Sequence, residues 1–207
     1  MDYIFHKERY KDYCIEIVQD DDPLCSRDWD NLGTMVCWHK NFDLGDGLPE
    51  KMKKRFKLLE SRDGSSDLDL FRKWKALHKN SLVVMPVYLY NHSGLTISTK
   101  PFHCPWDSGQ VGWIYASHDR IKQELNVETI TNEILDSTKE ILLKEVETYD
   151  QYLRGEVYGY VVKDHKQKLI DSCMNFYGDW ESDCLPEARR ACDSLEKKQL
   201  PLLFLPN

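Results

Sequence analysis

Apolar residues recur along this chain with two different periods, and each change of period marks an element. Tyr13 to Val18 (Tyr-Cys-Ile-Glu-Ile-Val) alternates imperfectly and is rich in β-branched side chains, the pattern of a strand. Asp20-Asp21-Asp22-Pro23 then breaks it, because clustered Asp and Pro favour turns over ladders. Gly33 to His39 predicts a second strand paired with the first, ended by Gly45-Asp46-Gly47. Leu48 to Leu59 and Asp67 to Leu77 repeat at helical spacing. The second places Leu70, Phe71, Trp74 and Leu77 on one face behind a Ser66 or Asp67 cap. Ser81 to Tyr90 is the most apolar stretch, and its Pro86 points to a bulge or a sheet edge. Short strands follow at Leu95 to Thr99 and Val111 to Ala116, and Ser117 caps a short helix that runs through Leu125. The longest helix spans Thr129 to Leu153, with an apolar stripe from Ile130, Ile134, Ile141, Leu142, Val146, Tyr149 and Leu153, and Gly155 stops it. Strands at Val157 to Val162 and Leu169 to Phe176 precede a last helix at Pro186 to Lys197.

The mixture lacks regular β-α-β alternation. It therefore predicts an α+β fold, a mainly antiparallel sheet of about five to seven strands packed by several helices, one of them long. At 207 residues the expectation is a single domain over 1–207, with a mobile polar link at 61–66 and an apolar C-terminal tail at 199–207. That tail (Leu-Pro-Leu-Leu-Phe-Leu-Pro from Leu200) must pack on the body or meet a partner.

Composition narrows the class. A mean hydropathy of -0.60 and the lack of a long apolar run predict no membrane span. Six Trp, eleven Tyr and seven Phe argue against a disordered chain. Seven Cys, an odd number without any C-x-x-C pair, argue against a disulfide scaffold or a four-thiolate zinc site, and the N-terminus lacks signal-peptide features. Reduced thiols in a cytoplasm are the expectation. The formal charge of -7 is segregated: residues 16–30 carry six acids against Arg27, 40–79 eleven bases against seven acids, and 119–164 eleven acids against six bases. Such segregation can steer a partner, and the overall acidity argues against nonspecific duplex binding.

Three places carry candidate chemistry. Between Asn91 and Gly112, His92, His103, Cys104 and Asp107 supply the atoms of a thiol nucleophile with its base, or of a metal site. Sequence neighbours on extended chain point to opposite faces, so His92 across the hairpin suits Cys104 better as a base than His103 does. The simpler reading of this segment is an ordered hairpin loop closed by its Pro, Trp and Asp-Ser-Gly. The acids Asp20, Asp21, Asp22, Asp28 and Asp30 flank Trp29, an aromatic anchor in an acidic rim if exposed, and Trp106 adds a second. Lys51, Lys53, Lys54, Arg55 and Lys57 form a basic helical face able to meet phosphates. No phosphate loop, H-E-x-x-H or G-x-S-x-G is present, and neither a metal nor a cofactor is expected.

Three segments bear a family likeness: residues 16–21 with Trp29 to Val36; Tyr90 to Gly94 with Cys104-Pro-Trp-Asp-Ser-Gly-Gln-Val-Gly112; and Glu145 to Leu153. Together they resemble an uncharacterised family of small bacteriophage and mobile-element proteins. The resemblance implies an accessory product acting in the cytoplasm of a bacterial host. With no catalytic motif, the favoured reading is a non-enzymatic protein that binds and inhibits a host protein or ribonucleoprotein, plausibly a defence nuclease, of the anti-CRISPR or antirestriction type. Two alternatives stand beside it. One is a thiol- or metal-dependent hydrolase using His92, His103, Cys104 and Asp107; the other is a nucleic-acid-binding module using the 51–57 helix.

Overall fold

The computed structural model describes residues 3–47, 54, 67–77 and 82–199. In chain order the elements are β1 (Ile4–Tyr10), β2 (Tyr13–Gln19), β3 (Thr34–Cys37), α1 (Asp67–Leu77), β4 (Leu82–Asn91), β5 (Leu95–Ser98), β6 (Ser108–Ser117), α2 (His118–Leu125), α3 (Asn132–Arg154), β7 (Val157–Lys163), β8 (Leu169–Tyr177) and α4 (Cys184–Gln199). The α+β class is as expected, but among the described residues the strands number eight and form two four-stranded sheets, β1-β2-β7-β8 and β3-β6-β4-β5. Every pairing is antiparallel. β1 is not predicted by the sequence pattern, because its polar positions look like loop, and one expected pairing is corrected. The strand at 34–37 pairs with β6, not with β2, whose partners are β1 and β7.

The chain forms two compact units, one from Met1–Leu24 with Gly155–Asn207, the other Cys25–Arg154. The second unit is thus an insertion in the β2–β7 connection of a four-stranded meander.

In the first unit one face of the sheet is closed by α4. Tyr13, Ile15, Ile17, Tyr160 and Val162 alternate onto that face and meet Cys184, Leu185, Ala188 and Cys192 of the helix. The other face buries a charge. Glu16 is 4% exposed and lies between Lys7, directly opposite on β1, and Lys163 of β7, each ammonium 2.5 Å from one carboxylate oxygen. β1 is anchored on the helix side as well, where the Arg189 guanidinium makes a fork to both oxygens of Glu8 at 2.7 and 2.8 Å.

In the second unit both faces of the sheet are covered. β6 is buried along most of its length because its alternate residues face two helices. Ile114 and Ala116 join Met35, Val87, Leu89 and Ile97 against Leu142, Val146 and Tyr149 of α3. Trp113 and Tyr115 point the other way, where Phe71 of α1 stacks on Trp113 with centroids 4.5 Å apart. Ser117 caps α2, accepting the Arg120 N–H, and α3 ends at Gly155, whose φ of +70° favours glycine. The expected helix over 48–59, the link at 61–66 and the tail from 200 onward lie outside the described residues, Lys54 excepted. Among the described residues no helix is long and apolar enough to cross a membrane.

Glu16 supplies the first prediction. Burial pushes its carboxyl up, but Lys163 and Lys7 outweigh that and hold it below the ordinary range. A depressed acid contributes stability above its unfolded value, near 4.3, that is lost as pH falls through the folded value. Glu16→Gln is expected to cost the first unit about 2 kcal/mol at pH 7 and to flatten its pH dependence below about pH 4.5. Urea unfolding followed across pH 3–7, with hydrogen exchange resolving the first unit, measures both; an unchanged acid limb contradicts it.

Candidate functional site

The hairpin candidates come together only in part. β4 and β5 meet in a turn at His92-Ser93-Gly94, and the chain returns through Cys104–Asp107 into β6. That return is closed by main-chain and side-chain bonds: the Asn91 N–H donates to Asp107 O at 2.9 Å, and Ser108 Oγ donates to Cys104 O at 2.5 Å. Phe102 stacks on Tyr90, and Tyr90 on His92, with centroids 5.5 and 6.1 Å apart. Oδ2 of Asp107 takes both remaining candidates, the Cys104 thiol at 3.6 Å and His92 Nδ1 at 3.3 Å. His103 is exposed and takes no part in these bonds.

This order matters chemically. A thiol nucleophile needs the imidazole against its sulfur so that the proton has somewhere to go. Here the thiol donates to a carboxylate oxygen that also lies 3.3 Å from the imidazole, and the arrangement is that of a pinned turn. Among the described residues no three His, Cys, Asp or Glu side chains gather as metal ligands. Burial pushes the thiols of Cys37 and Cys184 up to about 12 and that of Cys192 to about 11.

What the turn does display is Trp106. Its side chain is 93% exposed, the most exposed large apolar residue described, and it borders a hollow of about 390 Å³ with Trp38, His39, Leu89 and Gln110.

The second aromatic, Trp29, is 44% exposed and overlooks a cavity of about 380 Å³ whose walls include Asp30, Thr34, Asp46, Ser117 and Arg120. Asp28 and Asp30 are exposed, and Asp30 pairs with Arg120 at 2.7 Å. The cavity lies at the Ser117 end of β6 and Trp106 at the Ser108 end. Nine strand rises, about 30 Å, separate those ends, so the two aromatics of this unit do not form one patch. In the other unit, Asp20 is committed locally: its oxygens accept the N–H groups of Asn175 and Asp22 at 2.9 and 3.2 Å, holding Asn175 at φ +68°. Asp21 and Asp22 are exposed. Lys54 is helical and exposed, while Lys51, Lys53, Arg55 and Lys57 lie outside the described residues.

Beneath the Trp29 cavity lies a group that the spacing of motifs did not single out. The Arg27 side chain is 2% exposed. Its Nε and Nη2 grip both oxygens of Asp46 at 2.6 and 2.8 Å, Nη1 meets Glu145 of α3 at 3.1 Å, and Nη2 also donates to Gly33 O at 2.7 Å. Glu145 accepts the N–H groups of Leu32 and Gly33, and Asp46 accepts that of Met35. Burial disfavours the guanidinium charge, but Asp46 and Glu145 overcome it and hold its pKa above the ordinary value. Gly33 has no room for a side chain: a Cβ there would stand 2.4 Å from Leu142 Cδ2.

No family model, characterised protein or solved structure matches the chain.

Arg27→Met is expected to destabilise the second unit by about 3–5 kcal/mol, because two carboxylates are left facing each other without their cation. Arg27→Lys, which keeps the charge and loses the fork, should fall between it and the wild type. Thermal and urea unfolding of the three proteins rank them; an Arg27→Met protein as stable as the wild type contradicts the assignment.

Proposed function

We propose that the chain is a non-catalytic interaction protein and that Trp106 anchors its contact with a partner protein. One observation carries this reading, an indole that is 93% exposed on a turn whose backbone is fixed from both sides. Binding hot spots are enriched in Trp held in place before the partner arrives, since less freedom is then lost on docking. The contact of Asp107 Oδ2 with both Cys104 and His92 supports the same reading, because it gives those residues a structural task in the turn.

The identity of the partner rests on the family likeness. The Cys104 to Gly112 segment that carries Trp106 is one of the stretches that resemble small phage and mobile-element proteins. On that basis the chain acts in the cytoplasm of a bacterial host, where it binds and inhibits a host factor. A defence nuclease, alone or with its nucleic acid, is the class that an acidic protein of this kind suits, because nucleic-acid channels are built to attract anions. The exposed acids Asp21, Asp22, Asp28 and Asp30 supply steering charge.

The test is affinity capture from a bacterial host lysate, with and without nuclease, using wild type and two variants. A stoichiometric protein partner is expected to survive nuclease, to be lost at least thirtyfold by Trp106→Ala, and to be retained by Cys104→Ala. Full retention by Trp106→Ala overturns the Trp106 assignment. Loss of the captured partner on nuclease treatment overturns the protein-partner reading in favour of nucleic acid.

A further inference from the structure

β5 is the outermost strand of its sheet, and its backbone bonding tells which way its free side points. Ile97 lies opposite Leu89 of β4, yet its N–H donates away from the sheet, to Oδ1 of Asp150 on α3 at 2.7 Å. Facing residues of an antiparallel ladder alternate between hydrogen-bonded and non-hydrogen-bonded pairs, so Leu89 and Ile97 form a pair of the second kind. It follows that the main-chain groups of Thr96 and Ser98 point to β4, and those of Leu95 and Ile97 point outward. Asp150 therefore holds the Ile97 N–H as the carbonyl of a neighbouring strand would. Among the described residues no strand lies beyond β5.

Alongside this edge runs a groove of about 460 Å³ between β5 with the residues after it and α3. Ile97, Phe102, Leu143 and Val146 give it apolar walls, and Glu147 and Asp150 give it two acids on the helix side against Lys100 opposite. Leu143 is 41% exposed although it sits on the helix that covers the core. Glu140, Leu143, Glu147 and Asp150 are spaced three or four apart and so fall on one stripe of α3, acidic around a bare leucine. An edge strand beside a helix, with a groove between them, is the arrangement in which an extended peptide adds a strand: main-chain bonds give affinity, and pockets for alternate side chains give specificity.

We infer that this groove binds an extended segment of a partner protein as a fifth strand beside β5, one whose alternate side chains place apolar groups against Leu143 and Val146 and a Lys or Arg against Glu147. The incoming carbonyl replaces the Asp150 carboxylate at the Ile97 N–H, the released carboxylate keeps its pair with Arg154 at 3.5 Å, and the partner's cation meets Glu147. Charge selects this occupant over a second copy of the chain. The β5 strand of a second copy, Leu-Thr-Ile-Ser, brings no cation to the acidic stripe. The inference is independent of the Trp106 reading.

The probe is the capped peptide Thr-Val-Thr-Lys-Thr-Val-Thr, which puts Val, Lys and Val on one face of a strand, titrated into the isotope-labelled full chain and followed by NMR. Amide shifts are expected to concentrate at residues 95–99 and 143–150. Two further peptides, N-methylated at the odd-numbered or at the even-numbered residues, test the backbone: one should lose at least tenfold in affinity and the other keep it, since alternate N–H groups face the edge. Leu143→Asp and Glu147→Lys, each checked for folding by circular dichroism, should each weaken the parent peptide at least tenfold, and Trp106→Ala should leave it unchanged. Equal binding by both methylated peptides, shifts centred elsewhere, or no binding up to about 1 mM overturns the inference. Self-association of the protein through residues 95–98 overturns it in favour of a second copy.

Discussion

A guanidinium removed from water must be fully answered, and in this protein the answer comes from three separate stretches of chain. Arg27 sits on the first turn after the chain enters the second unit, Asp46 follows the loop after β3, and Glu145 lies in the middle of α3. An isolated buried charge would cost many kcal/mol, so each segment is tied to the position of the others. The two carboxylates also accept the backbone N–H groups of Leu32, Gly33 and Met35. The same few atoms thereby satisfy an irregular entry segment that has no ladder of its own. Gly33 completes the fit, since any side chain there would push α3 away from the sheet.

The first unit uses the inverse device. There a buried carboxylate, Glu16, is answered by two ammonium groups from neighbouring strands, Lys7 and Lys163. The lysine side chains stay partly in water, 53% and 28% exposed, so the ions are less completely desolvated than Arg27. The contrast fits the geometry of the donors. A planar fork can bind two acids and a carbonyl at once, whereas two flexible amines suit a single acid on an open sheet face.

Much of the architecture was legible because it is carried by period. The helices at 67–77, 118–125, 132–154 and 184–199 follow from apolar spacing and from capping residues such as Ser117 and Gly155. β1 was illegible for the opposite reason. Its Lys7 and Glu8 look like loop residues, and they become strand residues only through partners at Glu16 and Arg189. The pairing of β2 with the strand at Thr34–Cys37, expected from adjacency, failed because the true neighbour of β2, besides β1, is β7. In the hairpin, composition singled out His92, Cys104 and Asp107, but only geometry reveals that Asp107 Oδ2 contacts both the thiol and the imidazole. Arg27 did leave a trace, as the one base in a run of six acids, yet Asp46 and Glu145 lie too far along the chain for any spacing rule to join them.

The central claim is that the Arg27 charge cluster orders the entry segment of the second unit as firmly as a ladder would. Native-state hydrogen exchange of the Leu32, Gly33 and Met35 amides, followed in increasing denaturant, tests it most directly. The account predicts that all three exchange only with unfolding of the whole unit, at the level of the β6 amides. Exchange of Leu32 and Gly33 by fast local opening, insensitive to denaturant while β6 remains protected, would contradict it.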